Sequence, residues 1–163
     1  GTLKVLSVMM GYEYLWTNIR VKGGAYGCMC GFGRMGDCYF VSYRDPNLGQ
    51  TIHVYEDAAD FIARYDADER TMTQYIIGTF SQLDIPLTAA AKGRRSREAY
   101  MRGITLDMIQ RERDEIIAAQ PEDIRGLAEY IRAFMEEDCL CVVGSEQKIK
   151  AEADKFMKIE NLF

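Results

Sequence analysis

The chain has 163 residues, 20 Lys+Arg against 25 Asp+Glu, a net charge of -5 and a single histidine, His53. Its 48% hydrophobic and 28% charged composition is that of a globular chain, not a disordered one. The acidic balance argues against a nucleic-acid partner held by phosphate neutralisation, and one histidine excludes any site in this chain that needs two.

No apolar run approaches the roughly 18 residues that cross a bilayer, so no membrane partner is expected, and the first residues do not read as a secretory signal. Val5, Val8, Tyr12, Leu15 and Ile19 recur at helical spacing, which predicts an amphipathic helix over 3–20 with a possible kink at Gly11. Gly23 and Gly24 end it. Runs 25–32 and 37–44, separated by Gly33-Arg34-Met35-Gly36, read as a β-hairpin. Alternation puts Tyr26, Cys28, Cys30 and Phe32 on one face of the first strand, and Tyr39, Val41 and Tyr43 on one face of the second.

Asp45-Pro46 predicts an N-cap with proline at the first helical position, opening a helix that holds Leu48, Ile52, Tyr55, Ala59 and Ile62. Asp66 and Glu69 suggest a capping box for a third helix with Met72, Ile76, Phe80 and Leu83. Residues 84–91 read as a loop, followed by a short basic helix from Lys92 to Arg102. Thr105 caps a helix to about Ala118, and Pro121 opens another through Phe134. Cys139 to Val143 is an apolar strand, and Ser145 caps a last amphipathic helix to about Met157. The fold class is therefore α+β, a small antiparallel sheet of three strands packed against six to seven helices. So thin a sheet implies either a small layer or further strands upstream of residue 1.

The five cysteines, Cys28, Cys30, Cys38, Cys139 and Cys141, are an odd set, unlike a secreted disulfide scaffold. Cys-x-Cys pairs on strands can converge on a metal, but the spacing is not that of zinc ligands, and buried thiols are the plainer reading. No metal ligand is assigned in this chain, and a reducing, cytoplasmic compartment is expected. His53 shows no nucleophile signature around any cysteine that would make a Cys–His dyad. Arg44 and Asp45 read as holding the turn from strand to helix, with binding as the lesser alternative. The basic run of Lys92, Arg94, Arg95, Arg97 and Arg102 reads as a solvated helix face, with an anion or docking patch as the alternative.

Two short runs carry more identity than the rest. Arg20 to Gly27 reads RVKGGAYG and residues 42–47 read SYRDPN, one hairpin apart, with Tyr14-Leu15-Trp16 ahead of them. In this order and spacing the chain resembles the C-terminal domain of the presequence-protease branch of the pitrilysin/insulinase superfamily of zinc metallopeptidases. The resemblance implies a domain like the mitochondrial-processing-peptidase metallohydrolases, truncated here, so that 1–163 is a single C-terminal domain lacking its N-terminal strands.

It also implies a division of labour. Zinc is expected in the N-terminal half of the parent enzyme, on a His-x-x-Glu-His motif that this chain does not contain. No catalytic residue and no bound cofactor are therefore expected here. In the branch, an arginine and a tyrosine six residues apart reach the substrate across a closed chamber; they map onto Arg20 and Tyr26. A guanidinium and a phenol O–H suit a tetrahedral intermediate's oxyanion or a peptide backbone. The plainer reading stands beside this: arginine near a helix C-terminus complements the macrodipole, and tyrosine on a strand is ordinary packing. The implied partners are a peptide substrate and the N-terminal half of the same polypeptide. A free-standing, inactive binding or assembly module of the same fold is the alternative. With its sheet edge open, the fragment is expected to self-associate.

Overall fold

The computed structural model describes residues 1–161. Helix α1 (Thr2–Met9) runs directly into a π-helical stretch, Met10–Lys22, so that a single rod carries the start of the chain. Gly11 sits one residue past the change from α to π winding. Val5, Leu6, Met9, Met10, Leu15 and Ile19 are almost wholly buried along this rod. It is the centre of the core. The hairpin packs on one part of it, and α4 (Glu69–Leu83), α6 (Leu106–Ala118) and α7 (Pro121–Arg125) pack on its α-helical first part.

The hairpin consists of β1 (Gly27–Phe32) and β2 (Cys38–Tyr43), antiparallel, with Cys28 opposite Ser42 and Cys30 opposite Phe40. Its inner face presents Cys28, Cys30, Phe32 and Phe40 to the core. Phe40 meets Phe32 and Phe134 edge-on and stacks on Tyr55. Met29, Tyr39, Val41 and Tyr43 stand exposed on the outer face. Tyr26 does not share the inner face with Cys28, as simple alternation would have it. It precedes the ladder, is 64% exposed, and turns its ring onto Tyr43. The cause is local: Tyr26 N–H faces two carbonyls, those of Tyr43 at 3.1 Å and Arg44 at 3.3 Å, a bulge-like end that breaks the period of two.

Among the described residues the sheet has two strands, not three. Cys139 to Val143 runs without a ladder partner among the described residues, its Leu140 N–H bonded locally to Asp138 C=O. Apolar content alone does not make a strand; an unpaired row of peptide groups gains nothing from being extended.

Helix α2 (Leu48–Glu56) starts from Asn47 rather than Asp45, and α3 (Ala58–Ala63) follows after a break at Asp57. The N-cap of α4 is Asp68, whose carboxylate accepts the Thr71 N–H at 2.8 Å, in place of the Asp66–Glu69 box. Basic helix α5 (Ala89–Met101) starts at Thr88, earlier than its charges suggest, and buries none of its residues. Thr105 caps α6 as expected. The helix expected through Phe134 is interrupted at Gly126, giving α7 and α8 (Ala128–Glu136). The last helix, α9, is short (Glu146–Ala151), followed by a 3-10 turn, Ala153–Lys155.

Candidate functional site

Arg20 lies in the last turn of the π-helical stretch. Its guanidinium carbon sits 3.9 Å from the centroid of Trp16, four residues back and 42% exposed. Residues at that spacing meet on one helix face, and a cation over an indole is worth roughly 0.5–1 kcal/mol at an exposed site. The contact holds the guanidinium in place without neutralising it.

The rod then ends in a left-handed glycine cap. Gly24 has φ +76, its N–H bonds to Arg20 C=O at 3.0 Å, and Ala25 N–H reaches Ile19 C=O at 3.1 Å. Gly23 has no room for a side chain, since a Cβ there would meet Ile19 O at 2.5 Å. These two glycines reverse the chain and deliver Tyr26 at the start of the hairpin.

Arg20 and Tyr26 are both placed at this one end of the rod. No hydrogen bond joins them among the described residues, and each is engaged by its own aromatic neighbours. The Tyr26 ring meets Tyr43 edge-on at 5.8 Å between centroids. The Arg44 guanidinium carbon lies 5.6 Å from the Tyr26 ring and 5.3 Å from that of Tyr43. Arg20 acts electrostatically on the start of β1: burial raises the Cys28 thiol above its ordinary value, and the Arg20 charge opposes that.

The SYRDPN run supports the RVKGGAYG run directly. The Asp45 carboxylate accepts Asn47 N–H at 2.9 Å and Thr51 Oγ1–H at 2.6 Å, fixing the entry to α2. The Asn47 amide donates to Gly23 C=O, tying that entry to the glycine turn. Sequence reasoning gave Trp16 no role of its own and read Arg44 chiefly as a turn residue, with binding as the lesser alternative. The i, i+4 spacing of Trp16 and Arg20 was a usable signal; nothing in the sequence showed Arg44 reaching back to Tyr26.

Other candidates fall away from this end. His53 is exposed on α2 and pairs with Glu56 at 2.8 Å. Cys30 is buried against Ser7, and burial pushes its thiol up to about 11. Cys139 and Cys141 are exposed, and Cys38 meets the Tyr130 hydroxyl at 3.2 Å. A groove of about 500 Å³ lies between β2, α2, α8 and residues 138–149, walled by Phe40, Tyr55, Phe134 and Met135. The Tyr55 hydroxyl is buried there with no hydrogen-bond partner among the described residues, and burial pushes it up to about 12.

The family described as PreP C-terminal domain matches residues 1–146. The chain belongs to that family. Among curated relatives, Protein HypA of Clostridium perfringens is 43% identical over 99% of this chain. Presequence protease 1, chloroplastic/mitochondrial, of Arabidopsis thaliana is 34% identical over 98% of it. The mitochondrial presequence protease of Emericella nidulans is 32% identical over 94%. The chain spans only 14–17% of the length of these relatives. It is thus the C-terminal domain of a presequence-protease-like protein, with the α+β character and the relationship that the two motifs implied. None of its described helices is long and apolar enough to cross a membrane.

Proposed function

We propose that this chain is the non-catalytic C-terminal domain of a zinc-dependent endopeptidase that degrades short unfolded peptides. It walls the peptide chamber and presents Arg20 and Tyr26 to the substrate. The observation that carries the reading is the glycine cap and hairpin start that hold half-buried Arg20 and exposed Tyr26 at one end of the rod, in a chain whose relatives include named presequence proteases. A charge-assisted donor and a phenol, both braced by aromatic rings, suit the developing oxyanion or the backbone of an extended peptide.

Zinc belongs to the N-terminal half of the parent. This chain's one histidine is exposed and paired with Glu56, a poor start for a ligand set. Five free cysteines fit a reducing compartment, the cytoplasm in our reading. Where the upstream half lacks a zinc motif, the same fold serves as a binding or assembly module.

The test is a comparison of the full-length polypeptide with the 163-residue chain. The full-length protein is expected to hold one zinc and to cleave an unstructured peptide while sparing folded proteins. The isolated chain is expected to bind no stoichiometric zinc and to cleave nothing. A full-length protein without zinc and without peptidase activity would leave the binding module as the function.

A further inference from the structure

We propose that Arg44 is a positioning residue for Tyr26, and that the SYRDPN run is the brace that holds the peptide-facing end of the domain in shape. The inference rests on the reading of Tyr26 as a substrate contact, and adds a residue whose role that reading leaves open.

Four observations converge on Arg44. It has φ +48, a left-handed conformation that a non-glycine residue with a long side chain rarely adopts. Such outliers persist only where the surroundings over-determine them, and they cluster where geometry matters. Its carbonyl shares the Tyr26 N–H with that of Tyr43, so the unusual backbone fixes where Tyr26 leaves the ladder. Its guanidinium lies near both the Tyr26 and the Tyr43 rings, and no salt bridge to a carboxylate engages it among the described residues. Finally, the residues that follow it are tied down: Asp45 by Asn47 and Thr51, and Asn47 by Gly23 on the other side of the turn.

The physical consequence is an ordered phenol. A 64% exposed tyrosine at a strand end is free to sample several rotamers, and each costs alignment at the reacting centre. Tyr43 on one edge and Arg44 beside the ring restrict that freedom, and the cation–π contact needs no acidic partner that would compete for it. Arg44 acts through Tyr26.

The test uses the full-length protein with 3-fluorotyrosine incorporated at residue 26, read by fluorine NMR, alongside peptide-cleavage kinetics. Arg44→Gly keeps the left-handed backbone without strain and removes the guanidinium. Arg44→Gln keeps length and loses the charge; Arg44→Lys keeps a cation. The glycine and glutamine variants are expected to shift and narrow the fluorine resonance. They should lower kcat on the order of tenfold with a smaller change in KM, at unchanged zinc content, and the lysine variant should recover part of both. In a Tyr26→Phe background, Arg44→Gln should cost little more.

An unchanged resonance in a folded Arg44→Gln protein, or losses that simply multiply with those of Tyr26→Phe, would overturn the proposal. If Tyr26→Phe alone leaves cleavage unaltered, the substrate-contact reading fails instead, and the fluorine signal still decides whether Arg44 orders the ring.

Discussion

At the residue scale, two arginines illustrate the same device. Arg20 lies over Trp16 and Arg44 lies near Tyr26 and Tyr43, so each positive charge is oriented by a π face and remains available. Buried titratable groups behave oppositely. Burial pushes the Cys30 thiol from 9.0 to about 11. Burial foremost raises the Tyr14 and Tyr55 hydroxyls from 10.0 to about 12, with nearby acidic groups adding to it. A folded-state value above the unfolded one gives stability that is intact below the unfolded value and lost as pH rises through the folded one. The domain is therefore expected to hold its stability up to about pH 9 and lose it progressively toward pH 12. The urea midpoint measured across that range checks this, and a flat profile would contradict it. The identities of Arg20 and Tyr26 as candidates were legible from their motif. Their surroundings were not, because Tyr43 and Arg44 lie more than fifteen residues on in sequence and meet Tyr26 only through the hairpin.

At the scale of elements, periodicity located the central rod, the hairpin and α4, because each buries one face at a regular spacing, while α6 was located by its capping threonine. Its π winding escaped notice, since a change from i–4 to i–5 bonding shifts the apolar stripe only gradually. Caps were harder. Asp45 and Asp66 are plausible caps in sequence, yet Asn47 and Asp68 take the position, because the chain turns later than the nearest polar residue suggests. Thr105 was read correctly, and its Oγ1 accepts Met108 N–H at 3.2 Å. Replacing it with alanine should destabilise α6 by about 1 kcal/mol, seen as a lower Tm, with peptide cleavage by the full-length protein unaffected. An unchanged Tm would show that α6 is held by Ile116 and its packing alone. The missing third strand has the plainest cause. Residues 139–143 carry strand composition, but β2 lies across a groove from them and no ladder forms. Pairing is a tertiary property.

At the scale of the whole molecule, the hairpin leaves both an edge and a face uncovered among the described residues. Among the described residues β2 is paired on one side only, and Met29 of β1 with Tyr39, Val41 and Tyr43 of β2 leave the hairpin's outer face apolar and exposed. An open edge beside an apolar face is a template for association, so the 163-residue chain is expected to self-associate as its concentration rises. Light scattering showing a single monomer over a wide concentration range would contradict this. We propose that in the full-length polypeptide these surfaces face the N-terminal half and the enclosed peptide. Under the proposed function the single histidine fits a division of labour, with the metal chemistry proposed for the N-terminal half and orientation of the peptide proposed for this domain.

The measurement that tests this most directly is kcat/KM for an unstructured peptide, taken with zinc content, for the full-length protein and its Arg20→Ala and Tyr26→Phe variants. Each variant is expected to lose on the order of a hundredfold in kcat/KM, the scale of one transition-state donor, with bound zinc unchanged. Undiminished cleavage by both variants would contradict the account.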